Sequence, residues 1–151
     1  MALPKVFIKN KKASHEYFLE ERYVAGIQLN GTEIKSIRYA KATLTDAYCI
    51  FMKEELFVRN MHISEYKLGT HYNHEPKRDR KLLLTKRELS KLKAKINEKG
   101  YTLVPVALFI NEKGLAKLEI ALAKGKHTYD KRASLKEKDL KRDIDRASAH
   151  D

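Results

Sequence analysis

Residues 17–29 alternate so regularly that they leave the surrounding chain few folds to choose from. Tyr17, Leu19, Tyr23, Ala25, Ile27 and Leu29 fall on one face, while Glu20, Arg22 and Gln28 fall on the other. That is the period of two expected of a half-buried strand. The run is long for one strand, and Gly26 is the predicted bulge or bend within it. A strand of this length suits a small, strongly coiled barrel.

The elements after it agree. Residues 31–38 predict a short helix capped by Thr32, with Ile34 and Ile37 inward. Residues 47–52 and 56–63 predict a hairpin around Lys53, Glu54 and Glu55, a turn without the usual glycine. Residues 64–81 are irregular, polar and basic. The best-defined helix follows, with Thr85 and Glu88 as a capping box, Leu89, Leu92 and Ile96 as its apolar stripe, and Gly100 at its stop. Residues 103–110 are apolar on both faces and predict a central strand. After a turn at 111–114, Ala116, Leu118, Ile120 and Leu122 alternate with Lys117 and Glu119. One long strand and two hairpins give five strands, a count that favours a small closed barrel of the OB type over a sandwich. The predicted fold is therefore mainly β with added helices. It comprises a body of residues 1–124 and a tail of residues 125–151 with too little apolar surface to join the core.

Of the 151 residues, 34% are charged and the net charge is +12. A charge so far from zero raises the local concentration of polyanions, whether RNA, DNA or an anionic membrane. Cys49 is the only cysteine, so an intrachain disulfide and a cysteine-based zinc site are excluded. The apolar run at the start is too short for a signal peptide, and no stretch reaches the roughly 20 apolar residues of a membrane span. The expectation is a soluble cytoplasmic protein.

Between residues 76 and 99, ten cations oppose three acids, Asp79, Glu88 and Glu98. Converging cations are what a phosphate backbone needs. For residues 91–99 a solvated helix face accounts equally well for the charge, whereas Arg78, Arg80 and Lys81 favour RNA contact. His15, Tyr17, Tyr39, His71, Tyr72 and His74 lie near basic residues and can stack on unpaired bases, although Tyr17 has the phase of a core residue. His71 and His74, three apart, could share a metal in principle, but no second pair of ligands is placed to complete the site. No glycine-rich phosphate loop or nucleophile elbow is present, and Glu33 is placed to support a helix N-terminus rather than to catalyse. No cofactor is implied.

In the tail, Leu140, Ile144 and Ala147 would line one thin helical stripe, and Glu137 with Lys141 adds an i,i+4 pair. Such a helix is marginal alone. Composition leaves two readings open, a solubilising disordered terminus or a segment that is coil in solution and helical on RNA. The cations at Lys124, Lys126, Lys131 and Arg132, where the body ends, favour the second.

Ordered blocks along nearly the whole chain resemble the SmpB (small protein B) family, the bacterial partner of transfer-messenger RNA. They include Asn10-Lys11-Lys12-Ala13, His15-Glu16-Tyr17, Gly31-Thr32-Glu33-Ile34-Lys35-Ser36-Ile37-Arg38, Asn73-His74-Glu75-Pro76, Arg80-Lys81-Leu82-Leu83-Leu84, Lys124-Gly125-Lys126 and Asp130-Lys131-Arg132. The resemblance implies a non-catalytic OB-fold body that binds the tRNA-like domain of transfer-messenger RNA. This complex, charged by alanyl-tRNA synthetase and carried by elongation factor Tu, enters stalled ribosomes. The tail then probes the decoding centre of the small-subunit ribosomal RNA and the vacant mRNA channel, so that the nascent chain is tagged. By position, Asn10, Lys11, Lys12, His15, Glu33, Lys35, Ser36, Arg38, Arg80 and Lys81 fall in the body motifs tied to RNA. Lys124, Gly125, Lys126, Tyr129, Asp130, Lys131 and Arg132 fall in the tail motif, with Lys141 and Ile144 on its channel helix. Ala40 stands where Gly is usual, and Tyr129 where His is common. A generic OB-fold RNA-binding or ribosomal protein would explain the body but not the tail motif, and a nuclease would need a convergent site.

Overall fold

The computed structural model describes residues 6–68, 73–97 and 100–125. Along them run β1 (Phe7–Lys9), α1 (Lys11–Glu16), β2 (Tyr17–Ile27), α2 (Gly31–Arg38), β3 (Ala42–Thr43), β4 (Tyr48–Met52) and β5 (Glu55–Arg59). Then come β6 (His62–Ile63), β7 (Arg80–Leu83), α3 (Lys86–Ile96), β8 (Tyr101–Ile110) and β9 (Ala116–Gly125). The protein is mainly β with a few helices. Pairing passes from β8 through β4, β5, β7, β2 and β9 and returns to β8, with β1 added beside β8 and β3–β6 as a separate pair.

The long alternating run is one strand, but its bend is not at Gly26. Leu19 faces Ala123 and Arg22 faces Ala121, so β2 carries an extra residue at Glu20–Glu21. A bulge of this kind turns the following side chains to the other face of the sheet. Tyr17 and Leu19 therefore pack with Ala13, Val104 and Ala123 beneath α1. Tyr23, Ala25 and Ile27 instead enter the main core with Leu118, Ile120 and Leu122. Strand β8 makes the matching change between Pro105 and Ala107. Proline lacks a backbone donor and is tolerated inside a sheet at such an irregularity. Gly26 keeps regular pairing with Leu83 and Lys117. A Cβ there would lie 3.3 Å from the Leu83 Cβ, so the glycine lets β7 come close.

The capping box of α3 forms as the spacing predicts: Thr85 Oγ1 accepts from the Glu88 N–H (3.1 Å) and Glu88 Oε1 from the Thr85 N–H (3.0 Å). Leu92 is fully buried, with Leu89 and Ile96 packed beside the main core. Lys53 makes the glycine-free hairpin turn at φ +61°.

Several expectations are corrected. There are nine strands rather than five among the described residues. The predicted strand 56–63 breaks at Asn60 (φ +64°), giving β5 and the short β6. The stretch 64–81, expected to be irregular, ends in β7, a short strand that joins β5 to β2. Asn30, not Thr32, caps α2. The tail residues Lys126, Tyr129, Asp130, Lys131, Arg132, Lys141 and Ile144 lie outside the described residues.

Candidate nucleic-acid interface

The site residues fall into two groups at opposite ends of β2. Its 11 residues span roughly 35 Å of contour at about 3.3 Å each.

The first group is built on α1. Asn10 is buried between β1 and α1, and one side chain serves two elements. Its Oδ1 accepts from the Ala13 N–H (3.3 Å) at the start of α1, while its Nδ2 donates to the Pro105 carbonyl (2.8 Å). Its backbone N–H donates to the Val106 carbonyl (2.8 Å). These are the carbonyls at the β8 irregularity, so the bulge and the helix anchor each other. Ala13 points into the small core, which leaves Lys11, Lys12 and His15 exposed. Lys12 lies 3.6 Å from Asp46 and 4.0 Å from Glu16, surface pairs of little energetic weight. The register of β2 and β9 brings the end of the body to the same place: Tyr17 faces Gly125 and Phe18 faces Lys124. The exposed Lys124 holds its Nζ 4.7 Å from the Tyr101 ring centre, and Lys95 is 5.9 Å from the same ring. Lys11, Lys12, His15 and Lys124 thus gather at one end of the body.

The second group is built on α2 and has a buried ionic centre. Glu33 Oε1 accepts from the Asn30 N–H (2.7 Å) and from Arg78 Nη2 (2.7 Å). Its Oε2 accepts from Arg78 Nε (3.1 Å) and Arg80 Nε (2.7 Å). Burial pushes the Glu33 carboxyl up, but the Arg78 fork, the Asn30 N–H and the charge of Arg80 outweigh it and hold it below the usual carboxylate range. Arg80 spends its remaining donors on the Met61 carbonyl (2.7 Å) and the Pro76 and Glu75 carbonyls (3.1 and 3.4 Å). Burial pulls its guanidinium below the ordinary arginine value, with Glu33 opposing the shift.

For Arg80 the expectation from the sequence is RNA contact. The residue is fully buried and ties α2 to β7 and to the segment before β7. Glu33, Ser36 and Asn10 are likewise buried, and the Ser36 hydroxyl has no hydrogen-bond partner among the described residues. Arg78 keeps a partly exposed guanidinium committed to Glu33, which raises its pKa. Lys81 points outward and pairs with Glu55 at 2.8 Å. The helix leaves Lys35 and Arg38 at the surface. His74 is also structural. The Ile63 carbonyl can only accept, so Nε2 donates to it (2.9 Å), and Nδ1 meets the Thr32 hydroxyl at 2.9 Å.

The Arg59–Asp79 fork (3.0 and 3.1 Å) ties β5 to the residue before β7 and was not legible in the sequence, where its partners stand 20 positions apart. One signal for Arg80 was present: read as a strand, residues 80–83 put Arg80 with Leu82 inward and Lys81 with Leu83 outward. Among the described residues, no cluster of three or more His, Cys, Asp or Glu side chains could hold a metal, and no helix is long and apolar enough to cross a membrane.

The chain matches the family model described as SmpB protein over residues 7–150. It is 60% identical over 146 residues to an SsrA-binding protein of Bacteroides thetaiotaomicron, covering 97% of each chain. It is 53% identical over 143 residues to an SsrA-binding protein of Geobacillus thermodenitrificans, covering 95% of this chain and 92% of that one. Among solved structures it is similar to a chain from "tmRNA-SmpB: a journey to the center of the bacterial ribosome". The TM-score is 0.68 and the identity 44%, over 80% of this chain and 85% of the other.

Proposed function

The chain belongs to the SmpB protein family, and from that premise we propose that it is an RNA-binding adaptor that binds transfer-messenger RNA and brings it to stalled ribosomes for rescue. The observation that carries this reading is the span of the family match, which runs through the body and on to residue 150. A generic OB-fold RNA-binding protein would need only the body.

In this reading the ring of pairings returning to β8 is an OB-type closed barrel whose role is to hold two cationic surfaces at fixed separation. The surfaces that meet RNA are Lys11, Lys12 and His15 with Lys124 at one end, and Lys35 and Arg38 on α2. Asn10, Glu33, Ser36 and Arg80 are positioning residues, because each is buried. The protein supplies binding geometry rather than a catalytic group. The tail, residues 125–151, starts beside α1 and is the segment that would enter the decoding centre and mRNA channel. There Lys126, Tyr129, Asp130, Lys131 and Arg132 would act first, and Lys141 and Ile144 further in. Elongation factor Tu and alanyl-tRNA synthetase are its functional partners, in the cytoplasm.

The test compares binding of the full chain to the host's transfer-messenger RNA and to bulk tRNA in a gel shift. Transfer-messenger RNA should bind tighter. Deleting residues 126–151 should leave that binding in place while tagging on stalled ribosomes is lost. Loss of RNA binding on deletion would overturn the division of labour between body and tail.

A further inference from the structure

The end of α2 carries a feature that phosphate binding does not require. Tyr39, the C-cap residue, is 65% exposed. Its ring stacks on Tyr66 with centroids 6.3 Å apart and planes at 22°. Lys35 places its Nζ 5.7 Å from the Tyr66 ring centre. We propose that Tyr39 and Tyr66 form a stacking platform for one unpaired nucleobase, with Lys35 and Arg38 meeting the adjoining phosphates. The proposal rests on the RNA-binding reading above and names the part of the RNA taken at this place.

The platform is built rather than incidental. Tyr66 is gripped by Asn73: its N–H donates to the Asn73 Oδ1 (3.0 Å) and its carbonyl accepts from the Asn73 Nδ2 (2.8 Å). The Ser64 N–H donates to the Lys41 carbonyl (2.9 Å), which binds the Tyr66 loop to the end of α2. Ala40, next to Tyr39, takes φ +59°, a left-handed conformation that is strained for a residue with a Cβ. The chain accepts that strain at the turn that holds Tyr39 in place. The surroundings choose the occupant. Lys35 lies against the Tyr66 ring, and Arg38, Lys41 and Lys67, with the acid Glu65, are exposed close to the two tyrosines along the chain. An aromatic face beside cations fits a base with its phosphates, because every base has a π-face and the backbone supplies negative charge.

The chain contains no tryptophan, so Tyr39→Trp makes a single-tryptophan reporter in the full-length protein. Its emission should fall on adding transfer-messenger RNA or a short unstructured RNA oligonucleotide, and stay constant with a blunt RNA duplex. Tyr39→Ala should weaken binding to transfer-messenger RNA by about 5- to 150-fold, as expected for one stacked base, with its salt dependence unchanged. Tyr39→Phe should bind as the parent does. Unchanged emission at saturating transfer-messenger RNA, or an unweakened Tyr39→Ala variant, overturns the platform and leaves the functional reading intact. A parent protein that fails to prefer transfer-messenger RNA over bulk tRNA sinks that reading instead. The oligonucleotide result then decides the platform by itself.

Discussion

Glu33 carries a charge with no exposure to solvent, which is tolerable because both its oxygens are filled by Arg78, Arg80 and the Asn30 N–H. A buried pair contributes little over an apolar substitute of the same shape. Removing one partner, however, strands the other and costs about 3–5 kcal/mol. Arg80→Ala and Glu33→Ala should therefore lower the denaturant midpoint sharply, whereas Lys81→Ala, at a partly exposed surface pair, should change it little. Changing Arg80 and Lys81 together would confuse RNA contact with unfolding. The sign of the pH dependence follows from the lowered Glu33 value. The stabilisation is present above the unfolded carboxyl value, about 4.3, and is lost as pH falls through the lower folded value. Urea midpoints taken between about pH 5 and pH 3 should fall for the parent, and fall less for Glu33→Gln. The sequence made Glu33 legible as a helix-supporting acid. Its second role was not legible, because its arginine partners stand 45 and 47 positions away.

At the scale of the element, the two irregularities at Glu20–Glu21 and Pro105–Ala107 let β2 and β8 each serve two cores. Alternation of residues 17–29 is correct as a pattern and misleading as geometry, since one inserted residue turns a single sequence face into two faces in space. Asn10 joins the β8 irregularity to α1, and Asn10→Ala removes a helix cap while stripping the Pro105 carbonyl of its donor. A destabilisation of about 1–3 kcal/mol is expected, read as a lower thermal or urea midpoint. The first observable consequence for function should be weaker RNA binding through the Lys11, Lys12 and His15 surface. A null effect on both stability and binding would remove Asn10 from its positioning role. The helices α2 and α3 were legible because their caps and stripes are local. The six-residue α1 and the short β7 were not, because neither is long enough to show a period and long-range pairing holds both in place.

For the whole molecule, a net charge of +12 makes polyanion binding expected, but the fold decides which cations are available. Lys35 and Arg38 reach the surface, whereas Arg80 is spent inside. Lys35→Ala with Arg38→Ala should weaken binding to transfer-messenger RNA and reduce the slope of log affinity against log salt by about 0.7–0.9 for each phosphate no longer neutralised. An unchanged slope would move the phosphate-binding surface to the α1 end. The amino-acid sequence by itself determined the mainly β class, the capped helix α3, the two hairpin turns and, through ordered motifs, the family and its RNA. These are carried by local chemistry or by residue identity, neither of which needs coordinates. Only the tertiary structure decided which motif residues face solvent and which hold the body together. Burial of Glu33 against Arg80, the clamp of Asn10 on Pro105 and the meeting of Tyr39 with Tyr66 all join distant positions. Their energies depend on desolvation and approach, and neither exists before the chain has folded.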